Sequence, residues 1–199
     1  MKPRQNFIFV FFVPLFISLS VGCSSSPGQE AKLTPSISSI ENLSQYIFKL
    51  RFDQIQGDKF LKNHFKIKKD VMEDDGVQWG AYALTTDSAV EISIENNWED
   101  SITISRITFL SDKYHTTEGV SVGSAFAKIR NYIDTVNLND GPEGLEVLHE
   151  KKNAGISFLL DTSGYPDMYD GISSIHEIPD TMTVSTIVVA VPQNGRKKN

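Results

Sequence analysis

Apolar and polar residues alternate strictly between positions 90 and 95 of this 199-residue chain, with Val, Ile and Ile at the even positions and Glu, Ser and Glu at the odd ones. A period of two places successive side chains on opposite faces of a β-strand, so one face of this segment is buried and the other faces water. Two more β-rich runs, residues 79–86 and 102–109, flank it across short polar turns. The pattern predicts a three-stranded antiparallel meander.

In the third of these runs, the apolar residues switch from one face of the strand to the other halfway along. Ile102 and Ile104 share one face, whereas Ile107 and Phe109 would fall on the other face of a regular strand. One extra residue absorbed at positions 105–106 would return these side chains to a single face. We therefore predict a β-bulge there, and the alternative is a strand that is buried on both faces.

A helix and three more strands are predicted in the second half of the chain. Ser124 can cap a helix in which Phe126, Ile129 and Ile133 recur on one face. Further strands are predicted at residues 145–149, 156–161 and 183–191.

The two halves of the chain resemble each other. Segments 57–60 and 123–126 each begin with Gly, end with Phe and open a helical stretch, and residues 102–107 are similar to residues 182–187. Three strands follow in each half. We therefore predict an α+β fold, in which an antiparallel sheet from two tandem αβββ-like units has helices packed on it. It forms a single globular domain over residues 37–199, with halves at about 37–115 and 116–192.

Residues 1–22 have the order of a secretory signal, because Lys2 and Arg4 precede an apolar run at 7–19 and then small residues. The run is shorter than the roughly 18 apolar residues that a transmembrane helix needs. Residues 20–23 read Ser-Val-Gly-Cys and resemble the lipobox of bacterial lipoproteins, although Leu19 stands one place earlier than the usual Leu. In that class the Cys receives diacylglycerol and becomes the mature N-terminus.

Cys23, the only Cys of the chain, is therefore the predicted lipidation site, and residues 23–36 are the predicted tether. The expected anchor is the N-terminal diacylglycerol with its acyl chains. As in lipoproteins generally, the absence of Asp directly after Cys23 resembles proteins passed to the outer membrane of a diderm host. We expect a periplasm-facing, lipid-anchored protein.

The charge of the mature chain excludes some partners. Without residues 1–22 the chain keeps 17 Lys and Arg and 25 Asp and Glu, so the net charge is 17 − 25 = −8. A negative net charge argues against binding to nucleic acid and against binding of a polybasic segment to anionic lipid. The expected partners are the membrane, through the lipid, and an unknown envelope protein.

Four short stretches resemble one known family. They are Ile-Ser-Arg-Ile at 104–107, Thr-Glu-Gly-Val-Ser-Val-Gly at 117–123, Ile-Ser-Phe-Leu at 156–159 and Val-Ser-Thr-Ile-Val at 184–188. In this order they resemble the sigma-E-regulated outer-membrane lipoprotein family, also called domain of unknown function 1131, over most of the mature chain. The resemblance implies a lipoprotein of the envelope-stress response, and it brings no catalytic residues.

Residues 119–123 fit the G-x-S-x-G string of serine hydrolases, with Ser121 as the nucleophile and His149 or His176 as the base. In serine hydrolases this string forms a sharp turn, the nucleophile elbow, between a parallel strand and a helix. The context here differs, because Thr and Glu precede the string instead of an apolar parallel strand, and no Gly-rich oxyanion loop lies upstream. The four His are scattered and no Cys joins them. We therefore predict a non-enzymatic binding or scaffolding module without cofactor or metal, and a serine hydrolase is the alternative.

A loop rich in Gly, Pro and Asp at residues 162–179 is longer than a sheet needs. Tyr165, Met168 and Tyr169 lie in it with no strand to bury them, and such side chains supply contact area at interfaces. We predict that these three residues contact a partner. The alternative is that the tyrosines fold back over one end of the sheet.

Overall fold

The protein has an α+β fold built on one antiparallel sheet. The computed structural model describes residues 36–87, 89–133, 139–141, 144–149, 155–165 and 174–191. Eight strands form the sheet in the order β1-β2-β3-β4-β8-β7-β6-β5. Their bounds are β1 Lys66–Asp74, β2 Val77–Thr85, β3 Val90–Asn96, β4 Ile104–Phe109, β5 Asn139–Gly141, β6 Gly144–His149, β7 Ile156–Leu160 and β8 Val184–Ala190.

Short helices precede the strands in each half. The α-helices are α1 Ile40–Ile47, α2 Lys59–His64 and α3 Phe126–Ile129, and 3₁₀ helices cover Phe52–Gly57, Arg130–Tyr132 and Ile175–Glu177. Ser39 caps α1 by accepting a hydrogen bond from the Asn42 amide, and Asp58 caps α2 in the same way. Apolar side chains at i, i+3 and i+7 of α1 face the sheet, which explains why so short a helix is stable there.

The hydrophobic core lies between these helices and one face of the sheet. Its side chains alternate along the strands, as they do at Ile92 and Ile94 of β3, and they meet Leu43, Phe52 and Phe126 from the helical layer. The predicted bulge is confirmed. Glu95 pairs with Arg106 and Asn96 with Ile104, so one residue of β4 is extra and its apolar residues before and after the bulge all reach the core.

The two halves of the sheet are related by an internal repeat. The Phe52 amide donates to the Ile102 carbonyl at 2.8 Å, and the Phe126 amide donates to the Met182 carbonyl at 2.7 Å. The repeat therefore aligns Ile102 with Met182 where the last strand of each half begins. This alignment confirms the predicted match of 102–107 with 182–187, whereas the predicted match of Phe60 with Phe126 was wrong, because Phe52 makes the equivalent hydrogen bond.

The bulge also recurs at the same place in both repeats. The register shifts between Glu95 and Asn96 in β3 and between Leu159 and Leu160 in β7, which aligns Glu95 with Leu159. Ser105 and Ser185 are equivalent in the alignment of the last strands. Their hydroxyls each donate to a carbonyl of the neighbouring strand.

The six strands predicted from sequence are all present, and each end lies within two residues of the predicted position. Each half has one additional first strand, β1 or β5, that the sequence pattern did not indicate. The helix after Gly123 is shorter than predicted. Its N-cap is Ala125, because Gly123 and Ser124 instead form backbone hydrogen bonds with Val184 of β8.

The second of the chain's two units covers Thr34–Asn199. The sheet and the core described above belong to the second unit, which therefore has a hydrophobic core of its own. Within the described residues, no helix combines the length and the apolar character that crossing a membrane requires.

Candidate binding groove on the second face of the sheet

The face of the sheet turned away from the helices, here called the second face, carries small and polar side chains. Ala81, Leu159 and Val188 on this face are buried but do not belong to the core that the helices cover. Along each strand these residues alternate with the core residues, so their side chains lie on the opposite face of the sheet. The second face is therefore a separate surface from the core.

One row of paired residues, here called the central row, crosses seven strands on the second face. Each member is directly opposite the next across a strand pair, and the order is Lys68, Ala83, Ser93, Thr108, Val188, Ser157 and Leu148. The alignment of Ile102 with Met182 also places Thr108 on Val188, so these two occupy the same position of the repeat. The two halves of the row are thus directly comparable, and they differ at two places, Thr108 against Val188 and Ala83 against Leu148.

The first difference places an unsatisfied hydroxyl at the centre of the sheet. Thr108 is 8% exposed, and its Oγ1 is buried with no hydrogen-bond partner. Val188, which has a methyl group where Thr108 has the hydroxyl, is 5% exposed. A buried hydroxyl without a partner costs about 1–3 kcal/mol. The equivalent position of the second repeat holds Val, which has no hydroxyl to satisfy.

The second difference opens a groove in the first half of the sheet. Ala83 lacks the three terminal carbons that Leu148 carries at the equivalent position. A groove of about 430 Å³ lies there, and its lining includes Ala83, Ser93, Thr108 and the apolar side chains Met72, Val90, Leu110 and Leu159. Small residues form its floor and larger apolar residues its walls.

Charged residues also line the groove. Asp70, Glu95 and Arg106 belong to its lining, and Glu95 is directly opposite Arg106 in register. Glu95 Oε2 also accepts a hydrogen bond from Trp79 Nε1 at 2.9 Å. The alignment of the repeats places Leu159 and Thr186 at the positions of Glu95 and Arg106. This charged pair is therefore a feature of the first repeat and not of the second.

A second polar cluster lies beside the groove at the β2–β3 bulge. Leu84 pairs with Ile92 and Thr85 with Val90, so Glu91 is the extra residue of β3. Glu91 is only 4% exposed, and its Oε2 accepts a hydrogen bond from the Tyr114 hydroxyl at 2.6 Å. Its Oε1 accepts from Lys113 Nζ and from the Thr86 hydroxyl. An open cleft of about 620 Å³ borders this cluster.

The partners of Glu91 determine its ionisation. Burial by itself would raise the pKa of the Glu91 carboxyl, but the hydrogen bonds from Lys113, Thr86 and Tyr114 and the charge of Lys113 together hold that pKa below its ordinary value. The pKa of Tyr114 is raised by burial and by its hydrogen bond to Glu91. Both carboxylate oxygens are occupied. Glu91 is therefore an ionised anchor that ties the segment after β4 to the sheet, and it is poorly placed to accept a proton from a substrate.

Ser121 lies in a turn before α3. Its amide donates to Ser124 Oγ at 3.0 Å, and the two hydroxyls are 3.4 Å apart. The segment before it is not a strand, and all strand pairs are antiparallel in the part of the chain that the structure describes. The side chain of His149 lies outside the described residues, and His176 lies in a 3₁₀ helix whose cap is Ser174. This is not the strand-to-helix elbow of a serine hydrolase.

The predicted partner residues are described only in part. Tyr165 is half-buried against the core, and its hydroxyl is 3.0 Å from that of Thr181. This contact gives Tyr165 a packing role at one end of the sheet. Met168 and Tyr169 lie outside the described residues, as does Cys23, so partner contact by this loop stays a prediction. No group of three or more His, Cys, Asp or Glu that could hold a metal occurs in the described ranges.

Comparison with known proteins adds little to the geometry. No protein-family model matches the chain, and no curated protein matches it. Among solved structures, the chain is similar to the uncharacterized protein yfeY from Escherichia coli, with 17% identity and a TM-score of 0.46. The match covers 63% of this chain and 82% of that one. A likeness at this level says nothing about activity.

The two halves of the central row provide a reciprocal stability test. We expect Thr108→Val to raise the free energy of unfolding by about 1 kcal/mol, because it removes a buried hydroxyl that has no partner. Val188→Thr, the matched exchange across the sheet centre, should lower it by a similar amount. Urea unfolding of residues 34–199 measures both. A clear loss of stability in Thr108→Val would show that the hydroxyl has a structural partner, contrary to this description.

The Glu91 cluster predicts a pH-dependent contribution to stability. Glu91→Gln should lower the free energy of unfolding at pH 7 by about 2 kcal/mol, because it removes the ion pair with Lys113 from a buried site. The pKa of Glu91 is lowered in the folded state, so this contribution is present above its unfolded value of about 4.3 and is lost as the pH falls through the folded value. The exposed Glu99→Gln is the control. A Glu91→Gln effect that stays constant from pH 7 to pH 3 would contradict the assignment.

Proposed function

We propose that this chain is a lipid-anchored lipoprotein of the bacterial envelope whose globular unit is a non-enzymatic binding or scaffolding module. The observation that carries the proposal is the groove of about 430 Å³ on the second face, whose lining combines small side chains with the exposed apolar side chains Met72, Val90 and Leu110. Exposed apolar side chains that cluster on a soluble protein mark sites of interaction.

The anchor comes from the N-terminal sequence. The signal-like order of residues 1–22 and the small residues before Cys23 support lipidation at that thiol. The residues after Cys23 support the outer membrane as the destination. The resemblance to sigma-E-regulated lipoproteins supports a role in envelope stress or outer-membrane maintenance.

The alternative, a serine hydrolase that uses Ser121, has less support from the geometry. The hydroxyl of Ser121 is next to that of Ser124, and a turn precedes it in place of a strand. Treatment of residues 34–199 with a fluorophosphonate probe separates the two functions. We expect no adduct at Ser121. Labelling that disappears in Ser121→Ala but persists in Ser124→Ala would establish the hydrolase and exclude the non-enzymatic module.

The anchor is tested by replacing the acceptor thiol in the full-length chain. Cys23→Ala should abolish incorporation of labelled fatty acid and move the protein from the membrane fraction to the soluble periplasmic fraction, because about 0.8 kcal/mol per buried methylene is lost with each acyl chain. Cell fractionation with immunoblotting measures the shift. The conservative Ser24→Ala, one residue further on, is the matched control and should remain in the membrane. Membrane association of Cys23→Ala at the level of the parent chain would rule out the lipoprotein assignment.

A further inference from the structure

We infer that β1 pairs with β1 of a second copy of this chain, antiparallel and centred on Val71, so that two copies form a two-fold symmetric dimer through the open edge of the sheet. The inference goes beyond the proposed function and does not depend on it. Three observations carry it: the length of this edge, the backbone groups that it presents and the order of the charges along it.

The two edges of the sheet differ in length. Strand β5 at one edge has three residues, whereas β1 at the other has nine, and in the described ranges no strand pairs with the outer side of β1. All but one of its residues are exposed, and Val71, on the face where the helices pack, is 59% exposed. Natural proteins usually shorten or cover an edge of this kind, because it pairs readily with another strand. The edge at β1 is therefore open to a further strand.

The turn between β1 and β2 determines which backbone groups of β1 point outward. Asp75 and Gly76 have φ values of 47° and 77°, and a two-residue type I′ turn requires both to be positive. The pair that closes this turn, Asp74 with Val77, is hydrogen-bonded, and such pairs then alternate along an antiparallel ladder. The amides and carbonyls of residues 67, 69, 71 and 73 therefore point to the open edge.

Two side-chain contacts agree with this assignment. The Lys66 carbonyl accepts a hydrogen bond from the Thr85 hydroxyl at 3.4 Å, so it points towards β2. The Val71 amide donates to Asp70 Oδ1 at 2.9 Å, a group of its own strand, as an outward amide with no strand beside it can do. Because this contact is exposed to water, a carbonyl of a second copy can replace it at little cost.

The charges of β1 are divided between its two ends. The first half is basic and the second half acidic, with Lys at 66, 68 and 69 and Asp or Glu at 70, 73 and 74. Glu73 accepts a hydrogen bond from Gln78 of β2 at 2.6 Å, and because Gln78 is neutral the charge of Glu73 stays available to a lysine. Two antiparallel copies place the basic half of each opposite the acidic half of the other. A strand with charges of one sign would instead repel such a copy.

A two-fold axis at Val71 matches these charges. It pairs Lys69 with Glu73 and Lys68 with Asp74, and each pair occurs twice because the two copies are equivalent. Residues 69, 71 and 73 are outward residues, so their amides and carbonyls form the hydrogen bonds between the copies. The two Val71 side chains contact each other at the axis.

The neighbouring registers bring like charges together. An axis at residue 70 places Asp70 opposite itself, and an axis at residue 69 does the same for Lys69. With the axis at residue 72, Asp70 lies opposite Asp74. Like charges directly opposite each other destabilise a strand pair, so the charges favour the register centred on Val71.

Charge reversal at one pair tests the inference in residues 34–199, the unit that has its own core. We expect sedimentation equilibrium to show a reversible dimer. Lys69→Glu and Glu73→Lys should each weaken it at least about tenfold, because two attractive cross-strand pairs become repulsive. An equimolar mixture of the two variants should dimerise about as tightly as the parent, because each pair between the unlike copies is again Lys with Glu.

Two further substitutions in β1 serve as controls. Lys66→Glu changes the net charge as much as Lys69→Glu does, but residue 66 faces Gly76 in this register, so the dissociation constant should change by no more than about twofold at physiological salt. Asp70→Ala should tighten the dimer, because it frees the Val71 amide and removes a carboxylate that faces Met72 of the second copy. Unfolding midpoints confirm that each variant is folded.

Single cysteines test the register. Residues 34–199 contain no Cys, and the Cα atoms of a hydrogen-bonded pair are about 5.5 Å apart, within the range of a disulfide. Val71→Cys should therefore form a disulfide-linked dimer under mild oxidation. Asp70→Cys and Met72→Cys should not, because residues 70 and 72 face each other in this register and neither faces its own copy.

Three outcomes would overturn the inference. They are a parent unit that stays monomeric up to millimolar concentration, a mixture of Lys69→Glu with Glu73→Lys that dimerises no better than either variant alone, and disulfide formation in Asp70→Cys or Met72→Cys in preference to Val71→Cys. The first would show that the edge stays unpaired, and the other two would show that a dimer uses another surface or another register.

Discussion

The pairing of β4 with β8 holds the structure together. These are the last strands of the two repeats. Among the described residues, four pairs, from Arg106 with Ala190 to Phe109 with Ile187, join one half of the sheet to the other, and the Val191 amide donates to the Ser105 carbonyl beyond them. Neither half could bury its apolar face as well alone, because small sheets leave too much of that face exposed to water. The two halves meet at equivalent residues, since Thr108 lies directly opposite Val188. The register of the sheet from β2 to β6 is therefore symmetric about this point, and the residues of the two repeats can be compared position by position.

The departures concentrate on the second face and not in the core. Several core positions keep their apolar character across the repeat, as Phe52 and Phe126 or Ile92 and Ile156 show, because packing tolerates little change of volume or polarity. The second face differs at Thr108, Ala83, Glu95 and Arg106, all in the first repeat, where the second has Val188, Leu148, Leu159 and Thr186. Glu95 is used within the fold, because it accepts a hydrogen bond from Trp79, whereas the buried hydroxyl of Thr108 lowers the stability. A binding role in the first repeat accounts for the small side chain of Ala83 and the groove beside it.

Much of this fold is predictable from the sequence, because period-two patterns survive wherever one strand face is buried. The bulge at Ser105 followed from the phase change between Ile104 and Ile107, and the repeat followed from residues 102–107 and 182–187. The edge strand β1 was missed because nearly all its residues are exposed, so buried and exposed positions do not alternate along it. Only the Asp75-Gly76 turn could have indicated its hairpin with β2. Helix α1 was missed, although Ser39 and the spacing from Ile40 to Ile47 were available. The groove could not be predicted, since Thr108 matters only when its burial, its register and its missing partner are known.

The most direct test of the central claim compares the two repeats in the native envelope. Leu110, at the rim of the groove, and Ala190, its equivalent in the second repeat, can each be replaced by Cys, because Cys23 is the only other Cys of the chain. Maleimide labelling rates are then measured in intact cells and for the purified residues 34–199. A bound partner should slow the labelling of Leu110→Cys in cells relative to the purified unit and leave Ala190→Cys unaffected. Equal rates for Leu110→Cys in the two settings would contradict a binding surface on the first repeat.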